Sequence, residues 1–416
     1  IIGHYRIYWM EKRRNMKRIY LDHAATTPID PQVYEVMTKI LAEEYGNPSS
    51  IYSEGRSVKK YVEAAREQIA KAINADIREI YFTGSGSEAD NWAIKGIAMK
   101  NRAKGKHIIT TQIEHHAILH TCEYLEKNGF EVTYLPVDEF GLISLDDLKA
   151  AIRKETILVS IMFANNEIGT IEPIKEIGEI VKEKGIIFHT DAVQAFGNVP
   201  IDVKDLNVDL LSVSAHKIYG PKGMGALFIR KGVLIDNLIH GGAQERKKRA
   251  GTENTAGIAA FGKAAELAVT ELEANSKHLQ TLRDMLIEGV MAKIPQVRLN
   301  GHPQKRLPGN VNFCFDYIEG ESILLSLDLA GIAASSGSAC TSGSLDPSHV
   351  LLAIGLPAGV AHGSLRLTIG KHTSKEDIEY VIDQLVAIIE RLRKMSPIDV
   401  NCPIDDAVFE NAGHHH

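Results

Sequence analysis

A lysine at the end of an apolar segment is the first candidate for chemistry in this sequence. Residues 212–225 pass from an apolar stretch that ends at Ser214 into His216 and Lys217, and then into a turn rich in glycine and proline. A lysine seldom ends a buried strand, because burying an ammonium group without a partner is costly. A desolvated lysine amine is suited to forming a Schiff base. Taken alone, the segment favours a plainer interpretation, a lysine that leaves a strand for the surface.

Other apolar runs also end in polar side chains. Asp191 closes such a run, and its carboxylate needs a partner there. The protonated ring nitrogen of a cofactor and the first backbone N–H groups of a helix are equally suitable partners. His115 and Asn166 follow two further runs, although a lone histidine is more often structural than functional. Because ligands of parallel α/β sheets bind at the carboxyl ends of strands, the coincidence carries more weight than any single residue.

A turn of glycine and serine precedes a predicted helix within residues 82–91. Backbone N–H groups at such a helix start, here near Gly86 and Ser87, form a binding site for anions together with a serine hydroxyl. The alternative is a capped helix after a tight turn, which is common. The glycine spacing here and at residues 220–225 is not that of a P-loop or of a dinucleotide fingerprint.

Two more candidates lie towards the C-terminus. Cys340 stands in a loop of small residues, 334–347, whose composition predicts exposure and mobility, so a packing role is not expected for this thiol. Cys122 and Cys314 lie in helical and strand patterns, where we expect small buried side chains. Arg366 lies within an apolar strand pattern, where its guanidinium would bind a ligand carboxylate or form a structural ion pair with a protein carboxylate.

A mostly parallel sheet is predicted to position these residues. Between about residues 76 and 230, apolar runs rich in β-branched residues alternate with helical patterns. The predicted strands are residues 80–83, 107–111, 131–137, 157–163, 186–190, 210–214 and 226–229. Several are almost continuously apolar, which is typical of strands buried on both faces. The sequence therefore predicts an α/β fold with helices on both faces of the sheet.

The pattern changes after residue 251. A long helical stretch, roughly residues 258–294, is predicted to lead into a smaller α+β region. Strands are predicted there at residues 297–299, 310–315 and 365–369, and a final helix from residue 374 to residue 394. Two N-terminal helices are predicted at about residues 31–45 and 54–74.

Composition excludes several classes of protein. Hydrophobic residues make up 44% of the 416 residues and the formal net charge is −6, which argues against nucleic acid as a direct partner. No window approaches the ~18 apolar residues of a membrane span, so we expect no membrane partner. The four cysteines are dispersed without zinc spacing, which argues against a metal site and a disulfide scaffold. A reducing, cytoplasmic location fits this cysteine content.

The motifs, taken together, resemble those of the NifS/IscS-type cysteine desulfurases, which are pyridoxal-phosphate enzymes of the aspartate-aminotransferase fold. The resemblance extends from about residue 20 to about residue 397. The matching motifs are residues 46–50, 88–91, 114–115, 165–169, 191–194, 214–217, 249–254 and 335–340, and Arg366. The resemblance implies fold type I, with a large domain whose mostly parallel seven-stranded sheet lies between helices and a smaller α+β domain.

The resemblance also implies roles for individual residues. Lys217 would form the Schiff base with pyridoxal 5′-phosphate and carry the substrate's α-proton. Cys340 would attack the sulfur of L-cysteine and become a persulfide, and Arg366 would bind the substrate carboxylate. The implied contacts with the cofactor phosphate are Gly86, Ser87, Ser214 and His216, together with Thr252 at the phosphate of the neighbouring subunit. At the cofactor ring, Asp191 would contact the nitrogen, and His115 would lie on the ring face with a role in proton transfer. Gln194 and Asn166 would contact the phenolic oxygen, and Asn166 would also contact the substrate.

Two positions depart from the family pattern. Ser87 stands where many relatives have threonine, so a hydroxyl is retained. Ala215 stands where glycine is frequent, so a methyl group is added beside the expected site.

The function implied is conversion of L-cysteine to L-alanine by a homodimer with shared active sites. The loop of Cys340 and residues 345–349 resemble the group that supplies sulfur for iron–sulfur cluster assembly, which implies an IscU-like scaffold protein as sulfur acceptor and Cys340 as a transient iron–sulfur ligand in that complex. Within the fold, the alternatives are a selenocysteine lyase, a cysteine sulfinate lyase and an aminotransferase. A non-catalytic sulfur carrier or scaffold would need clustered cysteines, and these are dispersed.

The predicted domain organisation has five parts. Residues 1–15 are predicted to be an upstream extension or cloning remnant, and residues 16–30 a segment that joins the small domain. Residues 31–257 form the predicted large cofactor-binding domain, and residues 258–396 the linking helix and the small domain with the Cys340 loop. Residues 397–416 are predicted to be a tail with part of a purification tag. Cys402, in the tail, has no assigned role.

Overall fold

Twelve strands and the helices between them make up the described part of the chain. The computed structural model describes residues 18–336 and 347–395. In chain order the strands are β1 (Ile19–Tyr20), β2 (Ile80–Thr83), β3 (His107–Thr111), β4 (Glu131–Leu135), β5 (Thr156–Ser160), β6 (Ile187–Asp191), β7 (Leu210–Ser214), β8 (Gly225–Ile229), β9 (Val297–Leu299), β10 (Asn310–Phe315), β11 (Ile332–Ala333) and β12 (Ser364–Thr368).

The central sheet has seven strands in the order β2-β8-β7-β6-β5-β3-β4. Strand β8 runs antiparallel to both β2 and β7, whereas the other neighbours are parallel. Every residue of β3, β5, β7 and β8 is buried, as expected for strands covered on both faces. The prediction of a mostly parallel seven-stranded sheet is confirmed.

Helices cover both faces of this sheet. The larger helices of this part of the chain are Pro31–Glu43, Ser53–Ala72, Gly86–Asn101, His116–Lys127, Leu145–Ala151, Ile174–Glu183 and Thr255–Thr270. Successive residues of β3, Ile108 and Ile109, belong to two different apolar clusters. The Ile108 cluster contains the helices that begin at Gly86 and His116, and the Ile109 cluster contains the other five. The alternation of side chains along a strand therefore divides the core into two layers.

A smaller antiparallel sheet, in the order β12-β10-β9, forms a second core. The helices Leu272–Lys293, Gly320–Leu329 and Lys375–Met395 pack around it. The last of these helices is preceded by a reciprocal cap. The Asp377 N–H donates to Ser374 Oγ at 3.2 Å, and the Ser374 N–H donates to Asp377 Oδ2 at 3.0 Å. Strand β1 pairs in parallel with β11, so the N-terminal segment lies beside this core.

The long helical stretch predicted over residues 258–294 consists of two consecutive helices. They are Thr255–Thr270 and Leu272–Lys293, and they meet at Glu271. The Thr270 hydroxyl donates to the Glu266 carbonyl at 2.8 Å, a contact that bends helices. The Glu271 carboxylate accepts a hydrogen bond from Lys371 Nζ at 3.1 Å, which holds the joint against the strand-end segment after β12.

Other predictions have mixed outcomes. Cys122 and Cys314 are buried free thiols, as predicted. The limits at residues 30, 257 and 396 stay predictions. Residues 1–15, Cys340, residues 397–416 and Cys402 lie outside the described residues. Within the described ranges, no helix combines the length and the apolar character needed to cross a bilayer.

A buried ion pair stabilises an unusual turn beside β2. Arg66 and Glu245 form a two-pronged pair with N–O distances of 2.7 and 2.8 Å, and their side chains are 4% and 3% exposed. The carboxylate also accepts from the Phe82 N–H at 2.9 Å. Glu245, Arg246 and Lys247 all have positive φ angles, a conformation that costs about 1 kcal/mol or more for each such residue. The ion pair therefore holds a strained turn in place.

Replacing Glu245 by alanine should destabilise the protein strongly. The change leaves the Arg66 guanidinium buried without its partner, which should lower the free energy of unfolding by about 3–5 kcal/mol. Urea unfolding followed by circular dichroism measures the effect. Asp383→Ala is a matched control, because it removes an exposed ion pair with Lys293 and should cost less than about 1 kcal/mol. Equal midpoints for the two variants would contradict the prediction.

Candidate active site

A cavity of about 340 Å³ lies at the carboxyl ends of β5, β6 and β7 and at the start of the helix Gly86–Asn101. Ten of the twelve residues that the resemblance implied line it. They are Gly86, Ser87, His115, Asn166, Asp191, Gln194, Ser214, His216, Lys217 and Arg366. Parallel strands end at one edge of the sheet, which is why residues far apart in sequence meet there.

Lys217 ends a short 3-10 turn, Ala215–Lys217, that continues β7. Its Nζ donates to the carbonyl oxygens of Ala24 and, at 2.8 Å, of Ala25. The chain turns back sharply after Lys217 and brings Gly220 close to Ala215. A Cβ on Gly220 would lie only 2.7 Å from the Ala215 carbonyl oxygen, so this turn requires glycine. The amine thus lines the cavity, which favours the functional interpretation of this lysine over the surface one.

Asp191 closes β6 and is 7% exposed. Its Oδ1 accepts a hydrogen bond from the Val193 N–H at 2.9 Å. Burial raises the pKa of Asp191 to about 6, while the Val193 N–H and the Lys217 amine act in the opposite direction. The carboxylate therefore caps the following turn, as one interpretation predicted, and also lines the cavity, where it is able to pair with a cationic ring N–H.

His115 stands at the N-terminus of the helix His116–Lys127 and lines the same cavity. Its Nδ1 accepts from the Ala117 N–H at 3.1 Å, so the neutral ring carries its proton on Nε2. Burial lowers the pKa of His115 to about 4, and the Lys217 amine lowers it further. The imidazole is therefore neutral near pH 7 and presents an uncharged face to the cavity.

The start of the helix Gly86–Asn101 has the features of an anion site. Ser85 Oγ accepts from the Glu88 N–H at 3.0 Å and fixes the first turn. A Cβ on Gly86 would lie 2.7 Å from Val193 Cγ2, so the close approach of these segments requires glycine. The free N–H groups at the start of a helix of this length attract anions.

Two further polar groups face this helix start across the cavity. Ser214 and His216 come from the end of β7 and from the turn after it. Thr26 Oγ1 lies 3.2 Å from His216 Nδ1, and burial lowers the pKa of His216 to about 4. The imidazole of His216 is therefore neutral near pH 7. An anion bound here would contact hydroxyl and N–H donors and not a histidine cation.

Arg366 lies in β12 and is 2% exposed. Its Nη2 donates to Asp22 Oδ1 at 3.0 Å, and its Nη1 donates to the Asn166 carbonyl at 3.3 Å. Its Nε is buried without a hydrogen-bond acceptor among the described residues. The predicted alternative, an ion pair with a protein carboxylate, is thus present. The Nε–H group of Arg366 remains as a donor for a ligand carboxylate.

Asp22 joins this arginine to the segment that precedes Cys340. Its Oδ2 accepts from Ser335 Oγ at 2.9 Å, and Ser335 also pairs through its backbone with Arg366. The described chain stops one residue later, at Ser336. The base of the Cys340 loop is therefore fixed beside Arg366, although Cys340 itself lies outside the described residues.

Thr252 does not line the main cavity. It lines a neighbouring cavity of about 200 Å³ together with Arg249 and Gly84. Arg249 donates to the Glu88 carboxylate at 2.8 and 3.1 Å, and the Gly84 N–H donates to the same carboxylate at 2.8 Å. The Thr252 segment is thus tied to the helix whose first turn forms the anion site.

Three acidic or polar residues of this region were missed from the sequence. Ser85 and Asp90 line the cavity, and Asp22 holds Arg366. Asp22 comes close only through folding, since 344 residues separate the two partners. Asp90 had a usable signal, because it shares the helix face of Ile94 and Ile97, where a carboxylate is out of place.

The arrangement suits a ligand with a phosphate, a basic ring nitrogen and a carbonyl carbon within reach of an amine. The helix start, Asp191 and Lys217 supply one partner for each of these groups. Within the described ranges, no group of three or more histidine, cysteine or acidic side chains could hold a metal ion.

Comparison with known proteins gives the same family from sequence and from structure. Residues 19–381 match the model of the class-V aminotransferases. The cysteine desulfurase IscS of Clostridium botulinum is 62% identical over 384 residues, which is 92% of this chain and 97% of the relative. A solved NifS-like protein superposes with a TM-score of 0.85 at 39% identity and covers 90% of this chain and all of its own. SspA in complex with cysteine superposes with a TM-score of 0.76 at 37% identity, covering 86% of this chain and 100% of its own.

Proposed function

The chain belongs to the class-V aminotransferase family, and we propose that it is a cysteine desulfurase of the IscS type, which converts L-cysteine to L-alanine and supplies the sulfur for iron–sulfur cluster assembly. The observation that carries the proposal is the meeting of Lys217, Asp191 and Arg366 in one cavity. These side chains are an amine, a carboxylate and a guanidinium, which suit a carbonyl cofactor, its ring nitrogen and an amino-acid carboxylate.

Pyridoxal 5′-phosphate is the cofactor that the residues present would hold. The phosphate would bind at the N–H groups of the helix start, with Ser87, Ser214 and His216 around it. Asp191 would pair with the ring nitrogen, His115 would stack on the ring, and Gln194 and Asn166 would contact its phenolic oxygen. When bound, this cofactor supplies an electron sink that makes the substrate's α-hydrogen acidic.

The chain's own residues would divide the remaining work. Lys217 Nζ would hold the cofactor and then accept the α-proton. Its hydrogen bonds to the carbonyl oxygens of Ala24 and Ala25 orient the amine in the cavity. Arg366 would bind the substrate carboxylate through the donor that Asp22 leaves available. His115, neutral near pH 7, would exchange a proton at Nε2.

Sulfur transfer would use Cys340. The thiolate attacks the substrate sulfur, the bond from sulfur to the β-carbon breaks, and a sulfur–sulfur bond forms. Protons delivered to the carbon atoms complete L-alanine, so the substrate and the enzyme thiol become alanine and a persulfide without an outside oxidant or reductant. About 3% of an unperturbed thiol is ionised at pH 7, which is enough for this attack.

A homodimer with shared active sites is part of the proposal. Large apolar side chains are exposed along residues 34–52, as at a face that a second subunit covers. They are Tyr34, Leu41, Tyr45, Ile51 and Tyr52. Thr252 is exposed and lies outside its own subunit's main cavity, so we assign it to the phosphate of the neighbouring subunit. The sulfur acceptor proposed for Cys340 is an IscU-like scaffold protein.

Product analysis tests the proposed function. The purified protein with pyridoxal phosphate and L-cysteine should release alanine and, with a thiol reductant, sulfide in equal amounts. A selenocysteine lyase would act on L-selenocysteine but hardly on L-cysteine, and an aminotransferase would need a 2-oxo acid. Either of those results would replace the proposed reaction while leaving the cofactor site in place.

Replacing Arg366 by alanine should weaken the binding of L-cysteine. The loss of a charge-assisted hydrogen bond to the substrate carboxylate corresponds to about 1.5–3 kcal/mol, or roughly 10- to 150-fold in apparent affinity. Steady-state kinetics measure the KM, and circular dichroism checks the fold. Asp22→Asn is the matched control, because it removes the ion pair but keeps the guanidinium. A folded Arg366→Ala variant with unchanged KM would return this arginine to a purely structural role.

A further inference from the structure

Asp90 is a second carboxyl group at the cofactor cavity. It lies in the first turns of the helix Gly86–Asn101, lines the cavity and is 1% exposed. Its Oδ1 has no hydrogen-bond partner among the described residues. None of the roles assigned above uses this side chain, although a buried carboxylate without a cation is costly.

A chain of three buried side chains leads away from Asp90. Ser212 is hydrogen-bonded to the Asp90 carboxyl, and Ser212 Oγ lies 3.0 Å from His189 Nε2. His189 Nδ1 lies 2.9 Å from Ser160 Oγ. All three residues are 0% exposed, so the chain ends inside the protein and does not conduct a proton to solvent.

The charges around Asp90 favour its neutral form. Burial lowers the pKa of His189 to about 3, so this imidazole is not a cationic partner even though its Nε2 is 3.7 Å from Asp90 Oδ1. Burial raises the pKa of Asp90 well above its usual range, and the neighbouring carboxyl groups of Asp191 and Glu114 add to this effect, while the Ser212 hydrogen bond acts in the opposite direction. Asp191 is the member of the pair that the Lys217 amine stabilises as an anion.

We propose that Asp90 is a positioning residue for the cofactor: a carboxylic acid kept protonated at the end of the Ser212–His189–Ser160 chain, which leaves Asp191 as the single charged carboxylate for the ring nitrogen. With the proton on Asp90, its O–H donates to Ser212 Oγ, the Ser212 hydroxyl donates to His189 Nε2, and His189 Nδ1–H donates to Ser160 Oγ. The donors of Asp90, Ser212 and His189 then each have an acceptor. The pair Asp90 and Asp191 carries one proton and one negative charge, as two acids at one site generally do.

The inference rests on the proposed function, and infrared difference spectroscopy tests both separately. The spectrum of the cofactor-free protein is subtracted from that after addition of pyridoxal phosphate, with visible absorption in the same sample reporting uptake. We expect the C=O stretch of a protonated carboxyl to shift on uptake, to respond to ¹³C-labelling of aspartate, and to be absent from Asp90→Asn. Glu172→Gln is the matched control, because Glu172 is a buried acid, 4% exposed, that does not line the cavity.

The outcomes are distinct. A sample that takes up no pyridoxal phosphate contradicts the proposed function, and the inference falls with it. Uptake without an aspartate band, or with a band that persists in Asp90→Asn, overturns the assignment of Asp90 alone.

Kinetics provide a second test of the same assignment. Asp90→Asn is neutral and nearly isosteric, so its cofactor affinity and kcat should stay within about threefold of the wild type. Asp90→Ala leaves the Ser212 hydroxyl without its partner and should lower kcat about tenfold, the effect of one buried hydrogen bond. Losses in Asp90→Asn as large as those in Asp90→Ala would mean that an ionised Asp90 is required, and would overturn the proposal.

Discussion

Lys217→Ala should lose about a thousandfold or more in turnover of L-cysteine while keeping its fold. The amine is the group that would hold the cofactor covalently and accept the α-proton, and no other lysine lines the described part of the cavity. The cofactor should still bind, because the helix start at Gly86 and the Asp191 side chain stay in place in this variant. Alanine production, measured together with bound pyridoxal phosphate, separates loss of chemistry from loss of cofactor.

Lys222→Ala is the matched control for this experiment. Lys222 lies five residues further along the same turn and is exposed, so its replacement should leave turnover near that of the wild type. Normal alanine production by Lys217→Ala would remove Lys217 from the mechanism.

Cys340→Ser should stop sulfur transfer almost completely while leaving the cofactor site intact. A hydroxyl does not form a persulfide and is a far weaker nucleophile near neutral pH, so we again expect a loss of about a thousandfold or more. Spectral changes on mixing with L-cysteine should survive, since none of the proposed cofactor contacts uses Cys340. Alanine and sulfide yields measure turnover, and mass spectrometry locates the added sulfur in the wild type.

The other cysteines supply the controls. Cys122 and Cys314 are buried, and burial raises the pKa of Cys314 to about 11, so neither offers a thiolate. Cys402→Ser should behave as the wild type. Retained turnover in Cys340→Ser, or a wild-type persulfide on another cysteine, would exclude Cys340 while leaving the cofactor assignment unaffected.

The central sheet could be predicted from sequence because its strands are buried on both faces. Residues 80–83, 107–111 and 210–214 coincide with β2, β3 and β7, and these short segments are rich in isoleucine, leucine, valine and threonine, which favours strands. Strands β1 and β11 were not predicted, because two residues are too few to show a period. Their pairing depends on contacts between segments more than 300 residues apart in the chain.

The helix boundary at Glu271 was also not predicted from the sequence. The helical pattern continues across residues 258–294, and at the boundary the Thr270 hydroxyl donates to the Glu266 carbonyl and Lys371 donates to the Glu271 carboxylate. Side-chain competition for backbone carbonyls is too local to alter a hydrophobic period.

The candidate site was predictable where a residue type was out of place and not where its partner was distant. Lys217, Asp191 and Arg366 are charged residues within apolar runs, and each lines the cavity. Asp22 has no unusual sequence context, and its contact with Arg366 exists only in the folded chain. Asp90 was overlooked because acidic residues are common in the first turns of helices, where they stabilise the helix dipole.

The visible absorption spectrum of the purified protein, before and after addition of L-cysteine, tests whether Lys217 holds pyridoxal phosphate and the protein acts on L-cysteine. We expect a yellow protein whose absorption changes on mixing with L-cysteine, and a Lys217→Ala variant that lacks the wild-type band of the resting enzyme. A colourless protein that stays colourless with added pyridoxal phosphate and does not respond to L-cysteine would contradict it, and would favour a sulfur carrier or scaffold instead.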